Sequence, residues 1–160
     1  MNYTINPIQS DDNPRVCEII KQVGIEYGAI GEGFGPSDNE VLAMSHHYNN
    51  IDHSLYLVAK VNDNIVGGCG IAPFNESTHY CELKKLFLLP ESRGLGLGRK
   101  LTEACLNYAR SKGFVHCYLD TLSNMVQAIS LYEQLGFEHL DKPLLGTKHN
   151  GCDIWMLKLL

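Results

Sequence analysis

The chain lacks a positive surplus: 13 lysines and arginines stand against 18 aspartates and glutamates, a formal net charge of −5 with histidine neutral. Sequence-independent nucleic-acid binding rests on a basic field, so neither DNA nor RNA is expected as a partner. No apolar run approaches the roughly 18 residues of a membrane span, so no membrane partner is expected. The first residues, MNYTINPIQSDD, have neither the basic segment nor the apolar core of a secretory signal. Cys17, Cys69, Cys81, Cys105, Cys117 and Cys152 contain no CxxC pair and no Cys/His spacing of a zinc site. His46, His47 and His53 have no partners at ligand spacing either. These absences predict free thiols, no metal and a cytoplasmic protein. There is also no repeat, low-complexity stretch or linker, so residues 1–160 read as a single domain.

What is present is core material. Hydrophobic residues make up 44% of the chain and charged residues 19%, which suits one compact domain acting on small molecules or on another protein. A phosphate-bearing ligand would have to be held without help from the overall charge.

Periodicity supplies the elements. YTINPI alternates like a strand, and Ser10-Asp11-Asp12 offers a cap for a helix carrying Val16, Ile19, Ile20 and Val23. GAIGEGFGP, residues 28–36, reads as a flexible loop, and Ser37-Asp38 as the cap of a second helix through Val41, Leu42 and Met44. SLYLVAKV and IVGGCGIAP form a hairpin about Asn62-Asp63-Asn64. A long strand follows from His79 to Leu89. Leu97, Leu101, Ala104, Cys105 and Tyr108 share one helix face ending near Gly113. FVHCYLDTL reads as a strand buried on both faces, Met125 to Leu135 as a helix, and FEHL and CDIWMLKL as closing strands. Strand–helix–strand order after an antiparallel hairpin demands a mixed α/β sheet.

The chemistry concentrates where the long strand runs through a glycine loop into a helix. Gly94, Gly96 and Gly98 leave backbone N–H groups unobstructed, and the helix start adds partial positive charge. Arg93, Arg99 and Lys100 supply cations locally. A Walker A loop fails here, because Gly98-Arg99-Lys100-Leu101 lacks the Gly-Lys-Ser/Thr ending. A dinucleotide fingerprint would need glycine where Arg99 stands, although Asp120 ends the next strand near the place of a ribose-binding acid. The pattern Arg-x-x-Gly-x-Gly fits Arg93, Gly96 and Gly98.

That loop, with Pro90 ahead of it, resembles the acetyl-CoA pyrophosphate signature of the GNAT N-acetyltransferase superfamily. Ala128-Ile-Ser-Leu-Tyr132-Glu-Gln-Leu-Gly136-Phe137 is similar to the family's A-x-x-L-Y-x-x-x-G-F helix end. The resemblance covers the whole chain in element order. It implies a sheet of about seven strands, splayed between the fourth and fifth, flanked by about four helices. It implies an enzyme that transfers acetyl from acetyl-CoA, without a metal, to a primary amine of a small molecule, peptide or protein by direct attack on the thioester. The alternative is a CoA-binding sensor or partner module of the same fold.

By the same resemblance, backbone groups of Leu86, Phe87 and Leu88 pair with the pantetheine arm, and the Leu88 amide polarises the thioester carbonyl. The amides of Arg93, Gly94, Leu95, Gly96, Leu97 and Gly98 hold the pyrophosphate, with Arg99 or Lys100 nearby. Tyr132 is the acid for the departing thiolate and Glu82 the base. Period-two spacing puts Glu82, Lys84, Leu86 and Leu88 on one strand face unless a bulge intervenes. The family asparagine spaced N-x-x-A is absent: Met125 stands there and Asn124 is one residue early. Phe34, in a loop expected to act as a mobile lid, and His149, in the last hairpin, are placed at the acceptor site. Glu32 and Asp38 are candidates to attract a cationic amine, and Asp153 is a second candidate in the hairpin. An edge strand near the C-terminus makes a homodimer an open possibility.

Overall fold

A computed structural model describes residues 2–160. Seven strands, β1 (Tyr3–Pro7), β2 (Leu55–Val61), β3 (Asn64–Pro73), β4 (Tyr80–Leu88), β5 (His116–Thr121), β6 (Glu138–Leu140) and β7 (Ile154–Leu159), form one sheet. Its order is β1-β2-β3-β4-β5-β7-β6, antiparallel throughout except for β4 and β5. Those two pair in parallel only at Tyr80–Glu82 with His116–Tyr118. Beyond that point the ladder stops, and the sheet opens into the wedge expected between the fourth and fifth strands.

Three α-helices flank the sheet: α1 (Asn13–Glu26), α2 (Leu97–Ser111) and α3 (Val126–Gln134). Val16, Ile19, Ile20 and Val23 of α1 pack with Tyr56, Val58, Phe87 and Leu89 on one face. Leu97, Leu101, Cys105 and Tyr132, from α2 and α3, pack with Cys81, Leu83, Cys117 and Leu119 on the other. No helix of the described residues is long and apolar enough to cross a membrane. All six cysteines are free.

The second helix expected after Ser37 is not an α-helix. Gly35–Ser37 and Asn39–His46 form two 3-10 stretches, with Ala43 outside helical geometry (φ −152°, ψ 66°). Pro36 and the early glycines break the run before a full α-turn is established. What results is a strap, residues 28–38, crossing over the strand ends.

β4 departs from simple alternation. Between Gly68 and Gly70 of β3 the facing strand advances from Phe87 to Lys84, so β4 carries one extra residue. Lys85 takes it up with a φ of 55°, and its carbonyl accepts the Tyr56 hydroxyl at 3.0 Å. A bulge of this kind reverses side-chain direction downstream. Cys81 and Leu83 therefore share the α2 side with Leu86 and Leu88, while Phe87 and Leu89 join the α1 cluster. The expected common face of Glu82, Lys84, Leu86 and Leu88 is thus broken in the middle. Glycine at positions 67 and 68 permits the close strand approach: a side chain on Gly67 would collide with the Phe87 carbonyl.

Candidate functional site

The wedge and the glycine loop open onto a groove of about 560 Å³, lined by Leu86, Leu88, Gly94, Gly96, Gly98, Arg99 and the first turns of α3. Gly94 and Gly96 adopt φ values of 78° and 82°, and a Cβ at either would project into open space. The first N–H groups of α2 have no partner within their helix, so loop and helix together form an anion cradle. Arg99 lines the groove, bonds Gln134 at 2.5 Å and lies 3.6 Å from Glu103. Leu95 is exposed and Leu97 is buried in the core, so these two offer the cradle only their backbones.

Two of the local cations are spent elsewhere. Lys100 stands over the Tyr3 ring at 5.6 Å, away from the groove lining. The Arg93 guanidinium turns toward Glu26 and the Leu88 carbonyl. The cradle is therefore built chiefly from backbone dipoles, which explains how an acidic protein can offer an anion site at all.

Backbone direction decides which β4 groups face the wedge. The Leu89 N–H donates to Val66 at 2.8 Å, and the Phe87 carbonyl stands against Gly67, so both are turned toward β3. Alternation along the strand then directs the backbone groups of Leu86 and Leu88 into the wedge. Phe87, also expected there, has its carbonyl against Gly67 of β3 and its ring in the α1 cluster, and it lines a smaller cavity.

Behind the groove lies a smaller cavity of about 70 Å³, lined by Phe34, Lys85, Asp120, Met125, Tyr132, His149 and Cys152 among others. Leu86 and Met125 line both spaces and mark where they meet. The roof is the strap, with the Gly33 carbonyl accepting the Gly151 N–H at 3.0 Å and the Phe34 ring packed over Gly151. Phe34 and His149 thus line one cavity. Glu32 is exposed on the strap.

Four carboxylates and three cations line or back this cavity. Lys84 and Lys85 are brought to one side by the bulge, at 3.2 and 3.5 Å from Glu40, and Lys85 also bonds Asp38 at 2.9 Å. The Lys85 side chain is only 1% exposed. His149 is clamped through Nε2 to Asp38 (2.9 Å) and through Nδ1 to Asp120 (3.0 Å). Burial opposes its charge, but the hydrogen bonds to Asp120 and Asp38 prevail and push its pKa up to about 9. His149 is therefore an imidazolium at neutral pH. Glu82, Asp120 and His149 each present a donor atom within 4.8 Å of the others, with the His149 charge between two carboxylates.

Among the described residues, Glu82 is the one carboxylate of this cluster whose oxygens accept no hydrogen bond; its Oε2 lies 3.8 Å from His149 Nδ1. Burial first, then the neighbouring Asp120 charge, raise its pKa above the usual glutamate value, against Lys84 and His149. Glu82 stands just off the cavity wall, which Asp120 and His149 form. Tyr132 is 6% exposed, packs against Phe137 with ring centroids 5.7 Å apart, and lines the cavity. Burial pushes its phenol well above the ordinary value, so the proton is retained. The Cys152 thiol is likewise pushed up to about 12, chiefly by burial, and is protonated.

Asn124 and Met125 divide their roles. Asn124 donates to the Tyr27 carbonyl at 2.9 Å, tying the approach to α3 to the end of α1, while Met125 faces the groove. Asp153 accepts from Ser123 at 2.9 Å and braces the same turn. Lys85 and Glu40 were not read as parts of a site, and Asp120 was read only as a possible ribose-binding acid.

The His149 clamp makes stability depend on pH. A histidine whose pKa is raised on folding stabilises fully below its unfolded value near 6.5, and this stabilisation is lost as pH rises through about 9. Denaturant titrations of wild type should show a decline on the order of 1–3 kcal/mol across that window. His149→Asn should lack it.

Comparison with known proteins agrees with this geometry. Residues 27–137 match the model of the acetyltransferase (GNAT) family. An uncharacterized N-acetyltransferase, YjgM, of Escherichia coli (strain K12) is 40% identical over 151 residues, covering 93% of this chain and 90% of the relative. A GNAT-family acetyltransferase from Staphylococcus aureus Mu50 shares the fold with a TM-score of 0.84 at 20% identity, covering 99% of both chains. The acetyltransferase yncA of Salmonella typhimurium, solved with its cofactor acetyl-CoA, superposes with a TM-score of 0.79 at 20% identity over 99% of this chain and 94% of that one. The chain belongs to the GNAT acetyltransferase family and is an N-acetyltransferase.

Proposed function

We propose that the protein transfers acetyl from acetyl-CoA to a primary amine by direct attack on the thioester, with the donor in the groove and the amine in the smaller cavity. The observation that carries this reading is the junction at Leu86 and Met125, where a phosphate-cradling groove meets a cavity lined by Tyr132 and backed by Glu82. Backbone groups of Leu86 and Leu88 pair with the pantetheine arm, and amides of the Gly94–Gly98 loop hold the pyrophosphate. The Leu88 N–H faces the wedge, where it stabilises the charge developing on the carbonyl oxygen.

An amine attacks only when neutral. Its proton passes through water to Glu82, the one unbonded carboxylate of the cluster, which lies 3.8 Å from the His149 imidazolium that Asp120 holds. Tyr132, protonated across the working range, protonates the departing thiolate. The cavity admits only a few heavy atoms, so the amine enters end-on with the rest of the acceptor outside the strap.

The test is turnover of acetyl-CoA against a panel of small amines, amino acids and peptides, followed by thiol release. Amine-dependent release is expected. Tight acetyl-CoA binding without release on any amine would instead indicate a sensor module.

The cradle gives a separate expectation. At φ 82° a branched side chain is strained, and it also fills the space kept open beside the helix start. Gly96→Val should weaken acetyl-CoA binding about tenfold or more by calorimetry, since about 1.4 kcal/mol corresponds to each factor of ten.

A further inference from the structure

The first arginine of the loop motif lines the groove, yet its guanidinium is engaged by protein groups. Arg93 Nε and Nη2 donate to the Leu88 carbonyl at 3.0 and 2.8 Å, while Nη1 and Nη2 donate to the two Glu26 carboxylate oxygens at 2.6 and 2.8 Å. These bonds occupy four of the five N–H donors of the guanidinium. Its cationic face lies 5.4 Å from the Tyr27 ring centroid. The Glu26 carboxyl is held below the usual range by its bond to Arg93.

We infer that Arg93, held by Glu26, is a positioning residue for acetyl transfer: its fork fixes the Leu88 carbonyl at the open edge of β4 and does not bind the pyrophosphate. The inference rests on the proposed reading of the Leu88 amide. Leu88 lies where β4 has lost its β5 neighbour, so its carbonyl would otherwise be an unpaired acceptor on a splayed edge. The peptide joining Leu88 to Leu89 is gripped on both sides, by Arg93 at its carbonyl and by Val66 at its N–H. The Leu88 N–H belongs to the preceding peptide, and fixing the Leu88–Leu89 unit limits rotation at Leu88, so that N–H is held toward the thioester. Glu26 anchors the fork to the last turn of α1, directly before Tyr27 and the strap. A lysine keeps the charge but cannot form the fork.

The test uses two donors, acetyl-CoA and S-acetylpantetheine, which lacks the pyrophosphate. Arg93→Lys is expected to lower kcat about tenfold or more with both donors by the same factor, with the Kd for CoA within twofold of wild type. A defect confined to acetyl-CoA, or a tenfold weaker Kd for CoA, would place Arg93 on the pyrophosphate and overturn the inference. The double exchange Glu26→Arg/Arg93→Glu restores the ion pair but leaves no fork at the Leu88 carbonyl. It should recover thermal stability and not kcat; recovery of kcat would reduce Arg93 to a structural ion pair. Glu26→Gln, which keeps Arg93, should give a smaller loss that is again equal for both donors, and unequal losses count against the inference. If wild type acetylates no amine, the proposed function fails, and the CoA Kd of Arg93→Lys still decides whether Arg93 holds the pyrophosphate.

Discussion

Replacing Glu82 by glutamine should lower kcat/KM by about a hundredfold or more near neutral pH, with the defect shrinking as pH rises toward the acceptor amine's own pKa. The size follows from the charge pattern around the cavity. Lys84, Lys85 and His149 are each bonded to carboxylates of Asp38, Glu40 or Asp120, so one carboxylate is left over. Glu82 is that group, and burial gives it the greatest appetite for a proton. At neutral pH most acceptor amines are ammonium ions, and removal of that proton is the step proposed for Glu82. Above the amine's pKa the free base dominates and the carboxylate is no longer needed. Glutamine preserves shape and leaves the Asp120–His149 bond in place, so folding should be little changed. A pH–rate profile of Glu82→Gln parallel to wild type from pH 6 to 10 would remove Glu82 from the role of base.

Tyr132→Phe should lower kcat by about tenfold to a hundredfold while the acetyl-CoA KM stays within about twofold. The ring does most of the packing, against Phe137 and the α2-side cluster, and phenylalanine retains it. What is lost is one hydroxyl of a residue that lines the cavity, the proposed acid for the departing sulfur. Because burial holds that phenol protonated, wild-type activity should show no alkaline limb from Tyr132 below the ordinary tyrosine range. Donors with a more acidic leaving thiol need less protonation, so the defect should narrow with them. An equal loss for all donors would mean that the hydroxyl only packs.

Most of the fold was legible because its signals are local. The Asn62–Asn64 turn, the glycine loop before α2 and the apolar spacing of α1 and α2 each act within a few residues, and each produced the element expected. The segment after Ser37 was misread as an α-helix because Val41, Leu42 and Met44 have helical spacing, while Pro36 and the kink at Ala43 prevent an α-turn from extending. The β4 bulge lay beyond reach of periodicity, since lysine carries no preference for the φ of 55° that Lys85 adopts. Only the Tyr56 hydroxyl, 29 residues away, and the two carboxylates at its ammonium make that position stable.

The candidate site divides along the same line. Glycine cradle, Tyr132 and Glu82 could be placed through motif resemblance, and Phe34 and His149 through the loops that carry them. The Arg93 side chain bonds Glu26, 67 residues earlier, and nothing in the loop announces that partner. Asp120 was noticed only as a possible ribose ligand. Its bond to His149 joins β5 to a loop that reads as featureless in sequence.

The central claim is direct transfer from thioester to amine, without an acetylated protein on the way. Cys152 and Lys85 both line the cavity and would be the nearest candidates to carry acetyl. Burial keeps the Cys152 thiol protonated, and Lys85 is tied as an ammonium to Asp38 and Glu40, so neither is a ready nucleophile. Rapid mixing of enzyme with acetyl-CoA in the absence of amine should therefore release no burst of thiol, and release should begin only when amine is added. A burst of one thiol per enzyme, with a matching acetyl group on the protein by mass spectrometry, would contradict the account.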